Sequence, residues 1–163
     1  MRTTLRKLKK IEKMAKNNAV TAVKISSHFH KLSPADEIIY NSEELQVIVE
    51  NAKDTGKDSA RMLQAGAEKV YYIQARESAL PTVISFVKEF NKGVPVICES
   101  GGMIKYLTPA CFIIMDRSNV GTTKKIKEEY YNYPHLKLDF EKDSLQYWID
   151  RIDIRNGVWQ LDY

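Results

Sequence analysis

Three polar clusters in the sequence contain the side chains best suited to bind a charged ligand. Each lies where a short apolar run ends or a helical pattern begins. In open α/β sheets, ligands bind beyond the carboxyl ends of the strands, where N–H groups at helix starts can hold anions. The clusters therefore predict an anion-binding edge. They are Lys24, Ser26, Ser27, His28 and His30; Thr55, Gly56, Lys57, Asp58 and Ser59; and Glu99, Ser100, Gly101 and Gly102.

Glu99 is the most informative single residue of these clusters. A carboxylate that ends an apolar strand and precedes Ser-Gly-Gly lies where a ligand of hydrated magnesium, or a general base, would lie. The alternative is an acidic residue beside a helix start, in the manner of an N-cap. Gly56-Lys57-Asp58-Ser59 has the same two readings, because it can place charges beside a phosphate or simply begin a helix.

His28 and His30 are two positions apart, so at a strand end they project to the same side and can share a metal ion. The chain has only one other histidine, His135, and no carboxylate at a fixed spacing, which favours a surface loop instead. Acyl-transfer chemistry has no support, because the sequence contains no G-x-S-x-G motif and no Ser-His-Asp order. A complete phosphate loop, G-x-x-x-x-G-K-[ST], is also absent from the sequence.

The hydrophobic pattern predicts the elements that position these clusters. Helix and strand alternate, which predicts an α/β fold with a mostly parallel, doubly wound sheet in one domain over residues 1–163. Asn156-Gly157 between two apolar runs predicts a small C-terminal hairpin. Predicted helices cover 3–17, 57–65, 80–90, 101–107 and 123–131; predicted strands cover 19–25, 69–74, 94–98, 110–115 and 135–140, with one or two small edge strands within 31–55.

Composition limits the remaining function classes. The 163 residues are 44% hydrophobic, enough for one core, and no segment approaches the roughly 18 apolar residues of a membrane span. Cys98 and Cys111 lie in apolar runs, which predicts buried free thiols in a reducing, cytoplasmic compartment. The net charge of +4 comes largely from lysines near the N-terminus. Aromatic residues are not interleaved with these lysines, so nucleic-acid binding is the least supported function.

Several segments together resemble a known family. These are Thr3-Thr4-Leu5 at a helix start, Val23-Lys24-Ile25 followed by His28 and His30, Gly56-Lys57-Asp58-Ser59 with Arg61 and Ala65-Gly66-Ala67, and the strand ending in Glu99. Over roughly residues 3 to 117 the chain resembles the B-type accessory proteins of molybdopterin-guanine dinucleotide biosynthesis, which are P-loop GTP-binding proteins. The resemblance implies a P-loop NTPase-like domain that assists attachment of a guanine nucleotide to the molybdenum cofactor, with weak GTPase activity at most.

The resemblance also implies cofactors, partners and site residues. It implies GTP and Mg²⁺, a homodimer, and a partner among the molybdenum cofactor biosynthesis proteins. The family's first strand and the Gly-Lys of its phosphate loop have no counterpart here, so nucleotide binding is expected to be impaired; the alternative is a non-catalytic interaction module. Phosphate contacts are implied for Arg2, Thr3, Thr4, Lys24, Lys57, Asp58, Ser59, Arg61, Ser100 and Gly101, magnesium for Thr3 and Glu99, and rim positions for His28 and His30.

Overall fold

The computed structural model of the chain describes residues 18–32, 34, 36–53, 55–91, 93–116, 128–139 and 150–161. The predicted helix over 3–17 and the predicted phosphate contacts of Arg2, Thr3 and Thr4 lie outside these residues. The chain forms two compact units, Met1–Tyr106 and Leu107–Tyr163. That residues 1–163 make a single domain stays a prediction.

The first unit is built on a five-stranded sheet with the strand order β2-β3-β4-β1-β5. Two α-helices accompany it among the described residues, α1 before β4 and α2 between β4 and β5. Single turns of 3₁₀ helix occur at Glu77–Ala79 and Met103–Lys105, the second replacing the helix predicted over 101–107. The elements are β1 (Thr21–Ser26), β2 (Glu37–Asn41), β3 (Leu45–Val49), α1 (Asp58–Gln64), β4 (Lys69–Ala75), α2 (Leu80–Asn91) and β5 (Val96–Glu99).

This sheet is mixed, so the prediction of a mostly parallel, doubly wound sheet is wrong. β1 is parallel to both β4 and β5, but β2 pairs antiparallel with β3, and β3 pairs antiparallel with β4. The segment predicted to contain one or two small edge strands folds as a β2-β3 hairpin, in which β2 is at the edge of the sheet and β3 is not. β3 is an interior strand, since Leu45, Val47 and Ile48 are all buried. The apolar run of β3 is short, so the sequence alone does not show which strand pairs with β3.

The two helices cover opposite faces of the sheet. Successive residues of a strand point to opposite sides, and neighbouring residues of β4 pack against different helices. Ala22 of β1 and Val70 of β4 form a buried cluster with Met62 and Ala67, so this side is the α1 face. On the other side, Tyr71 packs against Phe90 of α2 with ring centroids 6.0 Å apart.

The second unit contains two separate strand pairs among its described residues. β6 (Ile113–Asp116) and β7 (Leu136–Asp139) pair in parallel, whereas β8 (Ile152–Arg155) and β9 (Val158–Leu161) form an antiparallel hairpin. The hairpin turns through Asn156 and Gly157, which have φ angles of 53° and 74°. Both angles are positive, as a type I′ turn requires, so the predicted C-terminal hairpin is present.

Part of the predicted helix over 123–131 is also described, and residues Glu128–Asn132 form a 3₁₀ helix there. Among the described residues, no helix has both the length and the apolar character needed to cross a membrane.

Candidate functional site

An ion pair joins the carboxyl ends of two adjacent parallel strands. Lys24 of β1 lies in register with Glu99 of β5, and the Lys24 Nζ and Glu99 Oε1 atoms are 2.9 Å apart. The two side chains keep 22% and 25% of their surface accessible. Sequence reasoning selected both residues from separate segments, and the structure brings them into direct contact. The pair is therefore partly sheltered from water and still partly accessible.

Tyr72 extends this ion pair into a polar row across three strands. It lies on β4 in register with Lys24, and its side chain is half-buried. Residues in register on neighbouring strands point to the same face, so Tyr72, Lys24 and Glu99 share one side of the sheet. That side is the α1 face, because Lys24 follows Ala22 by two positions. The polar row therefore lies about 7 Å from the apolar row that α1 covers, given the rise of two strand residues.

Beyond this row, the loop that follows β1 is bonded to the same face. Gln74 of β4 is in register with Ser26, and its carboxamide bonds to the backbone of His30 through both its oxygen and its nitrogen. The Ser26 hydroxyl donates to the carbonyl of His28 and accepts from its N–H, both at 3.1 Å. The row of Tyr72, Lys24 and Glu99 is thus flanked by α1 on one side and by this loop on the other.

The histidine side chains themselves point outward. His28 and His30 are both exposed, and the guanidinium of Arg76 lies over the ring of Phe29, 5.7 Å from its centroid. Within the described ranges, no group of three or more His, Cys, Asp or Glu side chains is placed to hold a metal ion.

Ser100 and the two glycines after Glu99 form a tight turn. The Ser100 hydroxyl accepts hydrogen bonds from the N–H groups of Gly102 and Met103, at 3.1 and 3.2 Å. These N–H groups are therefore occupied by Ser100, while Gly101 is exposed beside them. A Cβ on Gly102 would lie 3.0 Å from Leu80 Cδ1, so this turn packs closely on α2.

The Gly56-Lys57-Asp58-Ser59 segment begins α1 and forms a second cluster. The buried Ser59 hydroxyl donates to Glu50 Oε2 at 2.6 Å, and Asp58 Oδ1 lies 3.5 Å from Arg61 Nη1. Lys57 is exposed at the N-cap position and forms no side-chain cap. These contacts favour the structural reading for Ser59.

The backbone of Glu50 shows how far this second cluster lies from Lys24. Its N–H donates to the carbonyl of Val70 at 2.9 Å, two residues before Tyr72 along β4. Two strand spacings and two residues of rise put the Glu50 backbone about 12 Å from that of Lys24. The structure thus joins Ser59 to Glu50 and Lys24 to Glu99, as two separate groups.

The cysteines do not have the predicted environment. Cys98 is exposed on β5, which is the last strand of the five-stranded sheet, and Cys111 is partly exposed before β6 begins. The prediction of two buried thiols is wrong for Cys98, because the apolar run of β5 lies at a sheet edge rather than between two covered faces.

Sequence reasoning also missed three residues that organise the site, namely Tyr72, Gln74 and Glu50. Gln74 could have been noticed in the sequence, because it is a polar residue inside the apolar run of β4. In the structure it is 1% exposed. Comparison of the chain with protein-family models, with curated proteins and with solved structures found no match.

Proposed function

We propose that this protein binds a magnesium-bound nucleotide weakly, through Lys24 and Glu99, as an accessory protein in molybdenum cofactor biosynthesis. The observation that supports binding is the accessible ion pair at the carboxyl ends of β1 and β5. The guanine nucleotide and the molybdenum cofactor pathway are supported by the sequence resemblance over roughly residues 3 to 117.

The chemistry of the pair suits a ligand that carries phosphate and a hydrated cation together. The Lys24 ammonium is a point charge for a phosphate oxygen, and the Glu99 carboxylate can accept from magnesium-bound water. Mg²⁺ commonly uses one or two protein carboxylates and keeps several waters when substrate phosphates share it. One carboxylate fits this case and does not fit a magnesium ion held by protein groups alone.

Weak affinity follows from what the ligand must displace. Lys24 and Glu99 already neutralise each other at 2.9 Å, so a ligand exchanges one ion pair for two. Separating a partly exposed pair costs on the order of 1 kcal/mol. Among the described residues, the Gly102 and Met103 N–H groups that follow Glu99 in the chain are already bonded to Ser100, so few other contacts offset that cost. The Kd should therefore be much higher than that of a complete phosphate loop.

Calorimetric titration with GTP, GDP and guanosine, each with and without MgCl₂, tests this proposal. Binding should require both phosphate and magnesium. Glu99→Gln should abolish the magnesium dependence, and Lys24→Met should weaken GTP binding about tenfold, the usual scale for one charge-assisted contact.

The matched control for these variants is Lys105→Met. It breaks the Lys105–Glu77 pair, whose atoms are 2.8 Å apart and whose lysine has similar exposure, and it should leave binding unchanged. Equal affinity for guanosine and Mg-GTP, or no effect of Lys24→Met, would refute the proposal.

A second candidate function is a non-catalytic interaction module that self-associates. Ile38, Ile39 and Tyr40 are exposed by 39%, 37% and 39% on β2, which is the first strand in the order of the five-stranded sheet. Exposed apolar edge strands are templates for pairing between chains. Sedimentation equilibrium at micromolar concentration tests it: a dimer that Ile39→Lys dissociates would support this candidate, and a monomer at every concentration would refute it.

A further inference from the structure

Gln74 is buried to 1% exposure in the middle of the sheet, yet it is polar. A carboxamide buried without hydrogen bonds is destabilising, whereas an apolar side chain of the same size would gain from burial. A glutamine at this position therefore needs partners, and it has them. Its Nε2 donates to Gln46 Oε1 at 2.7 Å and to the carbonyl of His30 at 3.3 Å, and its Oε1 accepts from the His30 N–H.

These bonds define one orientation of the carboxamide. Reversing it would place the NH₂ group against the His30 N–H, donor against donor, and would leave the His30 carbonyl facing an oxygen. The side chain thus pairs with both backbone groups of one residue, as a neighbouring strand would. Gln46 Nε2 in turn donates to Asn41 Oδ1 at 3.0 Å, so the loop is tied through Gln74 to β3 and β2.

Gln74 is important because its hydrogen bonds hold His30 close to Lys24. Gln74 lies on the α1 face, one strand across and two residues along from Lys24, which puts their backbones about 8 Å apart. His30 is therefore fixed beside the polar row of Tyr72, Lys24 and Glu99. If the loop were held only at its two ends, its position beside the polar row could vary.

We infer that Gln74 is a positioning residue, which holds the loop of residues 27–30 as a fixed wall of the Lys24–Glu99 site. This inference rests on the proposed function, because a wall matters only if a ligand occupies the row. It assigns Gln74 no contact with the ligand. The loop backbone that Gln74 holds limits where the phosphate ligand can lie.

The test compares Gln74→Met with two controls. Gln46→Met removes the Gln74–Gln46 and Gln46–Asn41 bonds but leaves the His30 pairing intact. Val47→Ala weakens the core at a side chain that is 1% exposed. Amide hydrogen exchange at residues 28–30 and the Kd for Mg-GTP are measured for each folded variant. Gln74→Met should speed exchange at His30 at least about tenfold, the scale of one lost hydrogen bond. It should also raise the Kd several-fold, whereas both controls should retain wild-type exchange at the loop and wild-type Kd.

Each outcome decides between specific alternatives. Unchanged exchange at His30 in Gln74→Met overturns the inference, as does a freed loop with unchanged Kd, and in both cases the proposed function survives. If the wild type does not bind Mg-GTP, the proposed function fails first and Gln74 has no site to shape. Should Gln74→Met not fold, the wild-type protein still gives a test, because a His30 amide that exchanges as fast as an unbonded loop amide overturns the inference.

Discussion

The coupling between Lys24 and Glu99 can be measured with a double-mutant cycle of Lys24→Met and Glu99→Gln. At 2.9 Å and an effective dielectric constant of about 20, Coulomb's law gives a gross attraction of about 6 kcal/mol. Desolvation and lost side-chain entropy offset most of it. Exposed pairs retain about 0.2–1 kcal/mol, and breaking a buried pair costs about 3–5 kcal/mol. With side chains 22% and 25% accessible, this pair falls between the two classes, so we expect a coupling of about 1–2 kcal/mol.

Urea unfolding of the wild type, both single variants and the double variant gives this coupling energy. The cycle cancels what each side chain does separately with the rest of the protein. Repeating it in 1 M NaCl should reduce the coupling only partly, because sheltered pairs are screened less than exposed ones. A coupling below about 0.3 kcal/mol in low salt would show that the pair is no stronger than an average surface contact, and the reasoning about its shelter would then be wrong.

Three further predictions concern the stability of the first unit. Ser59→Ala should lower the free energy of unfolding by about 1–2 kcal/mol in urea titrations, because Glu50 loses a donor 2.6 Å away. Gly102→Ala should cost about 1 kcal/mol by the same assay, because the added Cβ would lie 3.0 Å from Leu80 Cδ1; an unchanged midpoint would show that Leu80 moves freely. Burial raises the pKa of Tyr71 above 10.0, so its contribution to stability is complete below that pH and is lost as pH rises through the higher folded-state value. Between pH 9 and pH 11, the urea midpoint should therefore decrease more in the wild type than in Tyr71→Phe.

The local elements of this fold were more predictable than their arrangement. The strands around Val23 and Val70 and the Asn156-Gly157 turn follow from residue type, because β-branched runs and positive φ angles are properties of short segments. The antiparallel pairing of β3 with β4 depends on which strands meet, and the sequence of a five-residue strand carries no information about its neighbours.

The candidate site was predictable to a similar degree. Lys24 and Glu99 could be chosen as candidates from the sequence, because each is a charged residue at or near the end of an apolar run. Their contact depends on β1 lying beside β5, which the sequence does not state. The role of Gln74 was hidden for the same reason, because a buried glutamine can be interpreted only when its partners at His30 and Gln46 are known.

The position of β1 in the five-stranded sheet has a consequence for how the chain folds during synthesis. β1 is the first described strand in the sequence, yet it lies between β4 and β5, which are made later. Closing β1 against β4 spans residues 27–68, and closing it against β5 spans a longer stretch, so both pairings cost more loop entropy than the local β2-β3 hairpin. On the ribosome, the apolar run from Thr21 to Ile25 therefore emerges before either neighbour exists. The hairpin can close first, and β1 becomes protected only when β4 and β5 have been completed on either side of it. A nascent chain stopped before residue 69 therefore leaves an interior strand of the sheet open to chaperones or to other chains.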